Sequence, residues 1–138
     1  MTLQDALQLA CSKGWLSKQS TEFQTAISSR VRLKTCEKGK LIYHVEDSGA
    51  EMFGLVAGSL AVTISHPTMG AVAAHIMHPG DWFGEVALLS RGSRLVTVHS
   101  RAACRFISIA KSSVDEVVKL DPRFAYGFFD LMRTNHEL

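Results

Sequence analysis

Residues 79–98, PGDWFGEVALLSRGSRLVTV, limit what this chain can fold into more than any other stretch. Pro79-Gly80-Asp81 is a turn signal that ends whatever strand precedes it. Trp82 and Phe83 lead to Gly84, which has no side chain to obstruct a close backbone approach. Behind Glu85 the apolar run Val86-Ala87-Leu88-Leu89 is too short for a full helix, and its Ala and Leu favour a single helical turn. Ser90-Arg91-Gly92-Ser93 turns the chain again, and residues 95–98 after Arg94 read as strand. A lone helical turn set between strands belongs in a mainly β fold.

The same residues predict a chemistry. The first amides of a helical turn have no intrahelical partner, and with the helix dipole they favour an anion next to Gly84. Arg94, just past the second turn, is placed to close on that anion with its planar fork of donors. Glu85 would repel a phosphate, but a carboxylate beside a phosphate cradle suits a ribose hydroxyl. Anion donors plus a sugar-binding carboxylate point to a nucleotide.

This segment resembles the phosphate-binding cassette of cyclic-nucleotide-binding domains, through Phe83-Gly84-Glu85, Ala87-Leu88-Leu89 and Arg94. The resemblance implies that Glu85 takes the ribose 2′-hydroxyl, that Arg94 pairs with the cyclic phosphate, and that amides from Gly84 through Val86 to Ala87 complete the cradle. The family usually places Ser or Thr and then Ala after the arginine, where this chain has Leu95 and Val96. The missing hydroxyl, which helps some members hold guanine, implies cAMP before cGMP. The family's base pocket comes from the strands before the cassette, and by position Val62, Ile64, Val72 and Ala74 are either the apolar wall under a purine or plain roll core.

The chain has 138 residues, enough for one domain with a proper core. It is 46% hydrophobic and 20% charged, a globular balance, and a net charge of +2 is too mild to demand direct nucleic-acid binding. Cys11, Cys36 and Cys104 are odd in number and lack metal spacing, which suits a reducing cytosol. Neither a signal peptide nor a membrane-length apolar run is present, so the expectation is a cytoplasmic protein without a membrane partner.

Along the chain, residues 1–30 are read as two helices. One spans 2–13 with a Thr2/Asp5 capping box; the other runs from an N-cap at Ser17 to about Ser29 with Phe23 and Ile27 on one face. Residues 31–110 are the β-roll, with the cassette at 80–98. The alternation from Arg30 to Lys34 predicts a strand with a wet basic face, for which solvation is a sufficient reason. A strand over 40–45 is expected to put Leu41 and Tyr43 on one face. Residues 46–49 read as loop, and residues 51–65, broken at Ala57-Gly58, as a hairpin. Strands over 71–77 and 105–109 complete the roll. His75 and His78, at a strand end and without a third ligand nearby, do not make a metal site.

Residues 111–138 are read as a helix capped by Ser112 or Ser113, then a second begun by Asp121-Pro122 and carrying Phe124, Phe128, Leu131 and Met132 at helical spacing. That helix has no stop signal before Leu138. In the bacterial regulators of this family it forms a homodimer interface and leads to a helix-turn-helix domain, so DNA would be reached only through an output domain absent from this chain.

The expected architecture is mainly β with flanking α-helices: an antiparallel, jelly-roll-like roll of about eight strands between N-terminal and C-terminal helices. The expected function is a cyclic-nucleotide sensor, the effector half of a bacterial transcription regulator. The alternatives are a member that has lost nucleotide binding and serves as a dimerisation scaffold, or the regulatory segment of a channel or kinase. No base–nucleophile pair is recognisable, so catalysis is not expected.

Overall fold

A computed structural model describes residues 1–90, 92–94 and 96–136. Among the described residues, eight strands form two four-stranded antiparallel sheets. The first has the order β1 (Val31–Cys36), β8 (Cys104–Ala110), β3 (Glu51–Ala57), β6 (Trp82–Phe83). The second has the order β2 (Leu41–Tyr43), β7 (Thr97–Ser100), β4 (Leu60–His66), β5 (Gly70–Met77). Helices α1 (Leu3–Ala10), α2 (Thr21–Ser28), α4 (Lys111–Leu120) and α5 (Ala125–His136) flank the roll, and α3 (Glu85–Ser90) interrupts it between β6 and β7. None of the described helices is long and apolar enough to cross a membrane. This is the mainly β roll with flanking helices that was expected.

The first sheet is buried on both faces, and the side-chain alternation of its strands feeds two separate cores. Met52 and Val56 of β3 and Ile107 and Ile109 of β8 face the helices, where they meet Ala6, Leu16, Phe23, Ile27, Val117 and Phe128. Their neighbours Phe53, Leu55, Cys104 and Phe106 face the roll interior and pack on Tyr43, Leu60, Val62, Phe83 and Val98. That double burial explains why residues 52–56 read as a continuous apolar run.

The apparent hairpin is not one. β3 and β4 lie in different sheets: β3 pairs with β8 and β6, and β4 with β5 and β7. Both edges of each strand are already taken, so the turn at Gly58 crosses between sheets. Its φ of 98° needs glycine, and a Cβ there would lie 2.5 Å from the Ala103 carbonyl oxygen.

Tertiary partners also moved several element ends. The β2–β7 register shifts between Leu41 and Tyr43, so Tyr43 is buried while Leu41 is 58% exposed, and the two do not share a face. Lys34 is not simply solvated, because its ammonium bonds both Glu51 oxygens at 3.2 Å. Ser17 lies inside a 3₁₀ turn, where its hydroxyl donates to the Gly14 carbonyl, and Ser20 is the residue that caps α2. Neither Ser112 nor Ser113 caps α4. β8 runs straight into that helix, and the Lys111 amide donates to the Ala50 carbonyl in place of a side-chain cap. The Thr2/Asp5 capping box of α1 and the Asp121 cap before Pro122 stand as predicted.

Candidate functional site

Arg94 is held in place before any ligand is considered. Its amide donates to the Asp47 carbonyl at 2.7 Å, its carbonyl accepts from the Glu46 amide at 2.8 Å, and Ser93 bridges Ser48. The segment read only as a loop, residues 46–49, is thus a short antiparallel partner for the arginine's backbone. Gly49 lets the same loop lie against α3, since a Cβ on it would lie 2.4 Å from the Ala87 Cβ.

From this anchor the side chain enters the protein and is 4% exposed. One terminal nitrogen donates to the Gly84 carbonyl at 2.8 Å, and the other to the Glu51 carbonyl. The guanidinium carbon lies 4.2 Å from the Tyr43 ring centroid, a cation–π contact in a desolvated setting. Nε is buried with no hydrogen-bond partner, and no ion pair among the described residues neutralises the group. Burial pulls its proton affinity below the ordinary arginine value, partly offset by Tyr43, Glu51, Asp47 and Glu85. An arginine in a protein nonetheless stays charged. The result is a buried positive charge whose partners are all neutral.

Gly84 lets that charge sit close. Its φ is 88°, and a Cβ would lie 2.7 Å from the Arg94 terminal nitrogen. The next residue, Glu85, opens α3 and is 3% exposed. Its Oε1 accepts from Asn135 Nδ2 at 2.7 Å, and the same nitrogen donates to the Trp82 carbonyl at 3.1 Å. A buried acid and a buried base thus stand either side of one glycine.

Between them lies a cavity of about 430 Å³, within the roughly 300–1,000 Å³ range of small-molecule sites. Of the residues singled out from sequence, Phe83, Gly84, Glu85, Val86, Ala87, Arg94, Val96, Val62 and Ala74 line it together. Val72 and Ile64 do not. They pair two positions further along β4 and β5 from Val62, and Ile64 is 47% exposed, while the register shift between Val62 and Thr63 brings the adjacent Ala74 and His75 to the cavity together. Leu95 lies outside the described residues. Sequence reasoning missed Tyr43, Met77, Trp82 and Asn135, which also line the cavity, and His75, which it weighed only as a metal ligand. An aromatic residue in a three-residue strand and an asparagine on a helix carry no local signal of a shared pocket.

Tyr43 has a measurable consequence. Burial pushes its phenol up to about 12; the Arg94 charge works against that shift and Glu85 adds to it. An unfolded tyrosine ionises near about 10. The neutral phenol's contribution is therefore intact below that value and lost as pH rises through about 12. Urea denaturation across this window should show wild type losing stability faster than Tyr43→Phe, by at most about 1.4 kcal/mol per pH unit. Parallel profiles for the two proteins would remove Tyr43 as the cause.

Known proteins share this arrangement of elements. The model of the family described as cyclic nucleotide-binding domain matches residues 33–121. The human potassium/sodium hyperpolarization-activated cyclic nucleotide-gated channel 3 is 27% identical over 106 residues, which cover 77% of this chain and 13% of the channel. The chain thus spans a small part of the length of that relative. The catabolite activator protein of Thermus thermophilus superposes with a TM-score of 0.78 at 18% identity, covering 89% of this chain and 58% of that one. The regulatory domain of Toxoplasma gondii PKA, crystallised with cAMP, superposes with a TM-score of 0.73 at 18% identity, over 83% of this chain and 44% of that one.

Proposed function

This chain belongs to the cyclic nucleotide-binding domain family, and from that premise we propose that its cavity takes a 3′,5′-cyclic nucleotide as a regulatory signal. The observation that carries the reading is Arg94: a buried guanidinium at the cavity wall with two neutral carbonyl partners, an unpartnered Nε and no ion pair among the described residues. A singly charged cyclic phosphate supplies the missing negative charge. The α3 amides, which point out of the helix start, complete its coordination. Glu85, on the far side of Gly84, accepts the ribose 2′-hydroxyl, and Val62, Ala74, Met77 and Val96 offer the base an apolar surface. In this arrangement the diester is bound and not cleaved.

The residue following Arg94 is Leu95, with no hydroxyl for a guanine, so we place cAMP ahead of cGMP. α5 exposes Tyr126 and Phe129, and a homodimer through that helix fits those rings. The likeness to the Thermus activator favours the effector half of a transcription regulator. The identity with the human channel favours a second reading, the regulatory segment of a channel.

Thermal denaturation with cAMP, cGMP and 5′-AMP tests the ligand. A cyclic nucleotide at 100 times its dissociation constant should add about 2.7 kcal/mol of stability. 5′-AMP, doubly charged and acyclic, should add far less. No shift with either cyclic nucleotide would leave a folded interaction module in place of a sensor.

A further inference from the structure

The contact between Asn135 and Glu85 is not explained by packing alone. Asn135 lies 50 positions from Glu85 in sequence and on the last turn of α5, yet its side chain reaches into the cavity wall. Both of its neighbours there, the Trp82 carbonyl and the Glu85 carboxylate, are acceptors, so the amide presents its nitrogen and spends both donors on them at 3.1 and 2.7 Å. One bond ties the side chain to the backbone of β6, and the other fixes a carboxylate oxygen.

We infer that Asn135 is a positioning residue for sugar recognition: by holding Oε1 of Glu85, it orients the carboxylate to take the 2′-hydroxyl of a ribose. The inference rests on the reading of Glu85 as the ribose ligand given above. A carboxylate has about four acceptor sites on its two oxygens, so a sugar hydroxyl binds without displacing the amide. Without Asn135 the carboxylate loses one of the bonds that fix its rotamer inside a 3%-exposed site, and part of its ordering falls to the ligand. Since the amide comes from α5 and the hydroxyl from the ligand, both act on one group, and each strengthens the other reciprocally.

The test compares 3′,5′-cyclic AMP with its 2′-deoxy analogue on the full chain by calorimetry. A hydrogen bond to a charged acceptor makes the wild-type preference for the ribose form on the order of 10- to 100-fold. In Asn135→Ala that preference should shrink several-fold, while the affinity for the 2′-deoxy ligand stays within about threefold of wild type, about 0.6 kcal/mol. Asn135→Leu keeps size and helix but has no donor, and it should lose the preference too. It carries the test if the alanine variant does not fold. An unchanged preference in both folded variants, including one in which the two ligands weaken equally, overturns the inference and leaves the nucleotide reading intact. Binding of neither ligand to wild type overturns that reading, and this inference with it.

Discussion

Arg94→Ala should weaken cyclic AMP binding by about 2–5 kcal/mol, roughly 30- to 5,000-fold, because it leaves a desolvated phosphate without its cationic partner. The size of the effect follows from where the guanidinium sits. It is buried, stacked on Tyr43 and held by the Gly84 and Glu51 carbonyls, so its geometry is set before the ligand arrives and little ordering is needed on binding. Those carbonyls lose their Arg94 donors in the variant; Gly84 keeps the Leu88 amide at 3.4 Å, and a carbonyl left unsatisfied costs about 1–3 kcal/mol. The unliganded melt must therefore be recorded beside the binding isotherm. Arg94→Lys separates the two effects. It keeps the charge but has no planar fork to span two carbonyls, so it should bind better than alanine and worse than wild type. A folded Arg94→Ala with unaltered affinity would show that the phosphate is held elsewhere.

The largest effect on stability is expected at Trp15. Its ring meets Phe23 at 5.6 Å, Trp82 at 5.2 Å and Phe128 at 6.0 Å between centroids, and its Nε1 donates to the Gly127 carbonyl at 2.7 Å. One side chain thus joins the N-terminal helical layer, strand β6 and α5. Trp15→Ala opens a cavity among rings that cannot collapse together and should cost about 3–5 kcal/mol in urea denaturation. Trp15→Phe retains most of the contact but not the hydrogen bond, and should cost clearly less. A loss below about 1 kcal/mol for the alanine variant would mean that these elements are held together by other contacts.

Much of this was legible because it is local. The Thr2/Asp5 capping box, the Asp121-Pro122 start and the helical turn over Glu85–Ser90 each depend on residues within one turn of one another. The layout of residues 83–94 was legible for the same reason: Phe83-Gly84-Glu85 are adjacent, and Arg94 lies one turn beyond α3. Strand pairing was not. Residues 51–65 carry a hairpin's pattern, yet β3 and β4 pair with other strands, because pairing depends on which edges remain open after the whole roll closes. His75 was not read as a cavity residue, since the register shift that lets the adjacent Ala74 and His75 both line the cavity leaves no mark on composition.

Sequence alone was enough to determine the mainly β class, the position of the helical turn after Gly84, and the acid and base that flank that glycine. Backbone sterics, capping and short-range periodicity act over a few residues, so their record is written there. Only the tertiary structure decided that the 46–49 loop clamps Arg94, that Tyr43 stacks on its charge, and that Asn135 reaches from the last helix to Glu85. Those contacts join residues 47 to 51 positions apart, and burial, which is not directional, does not mark in the chain which distant residues will meet.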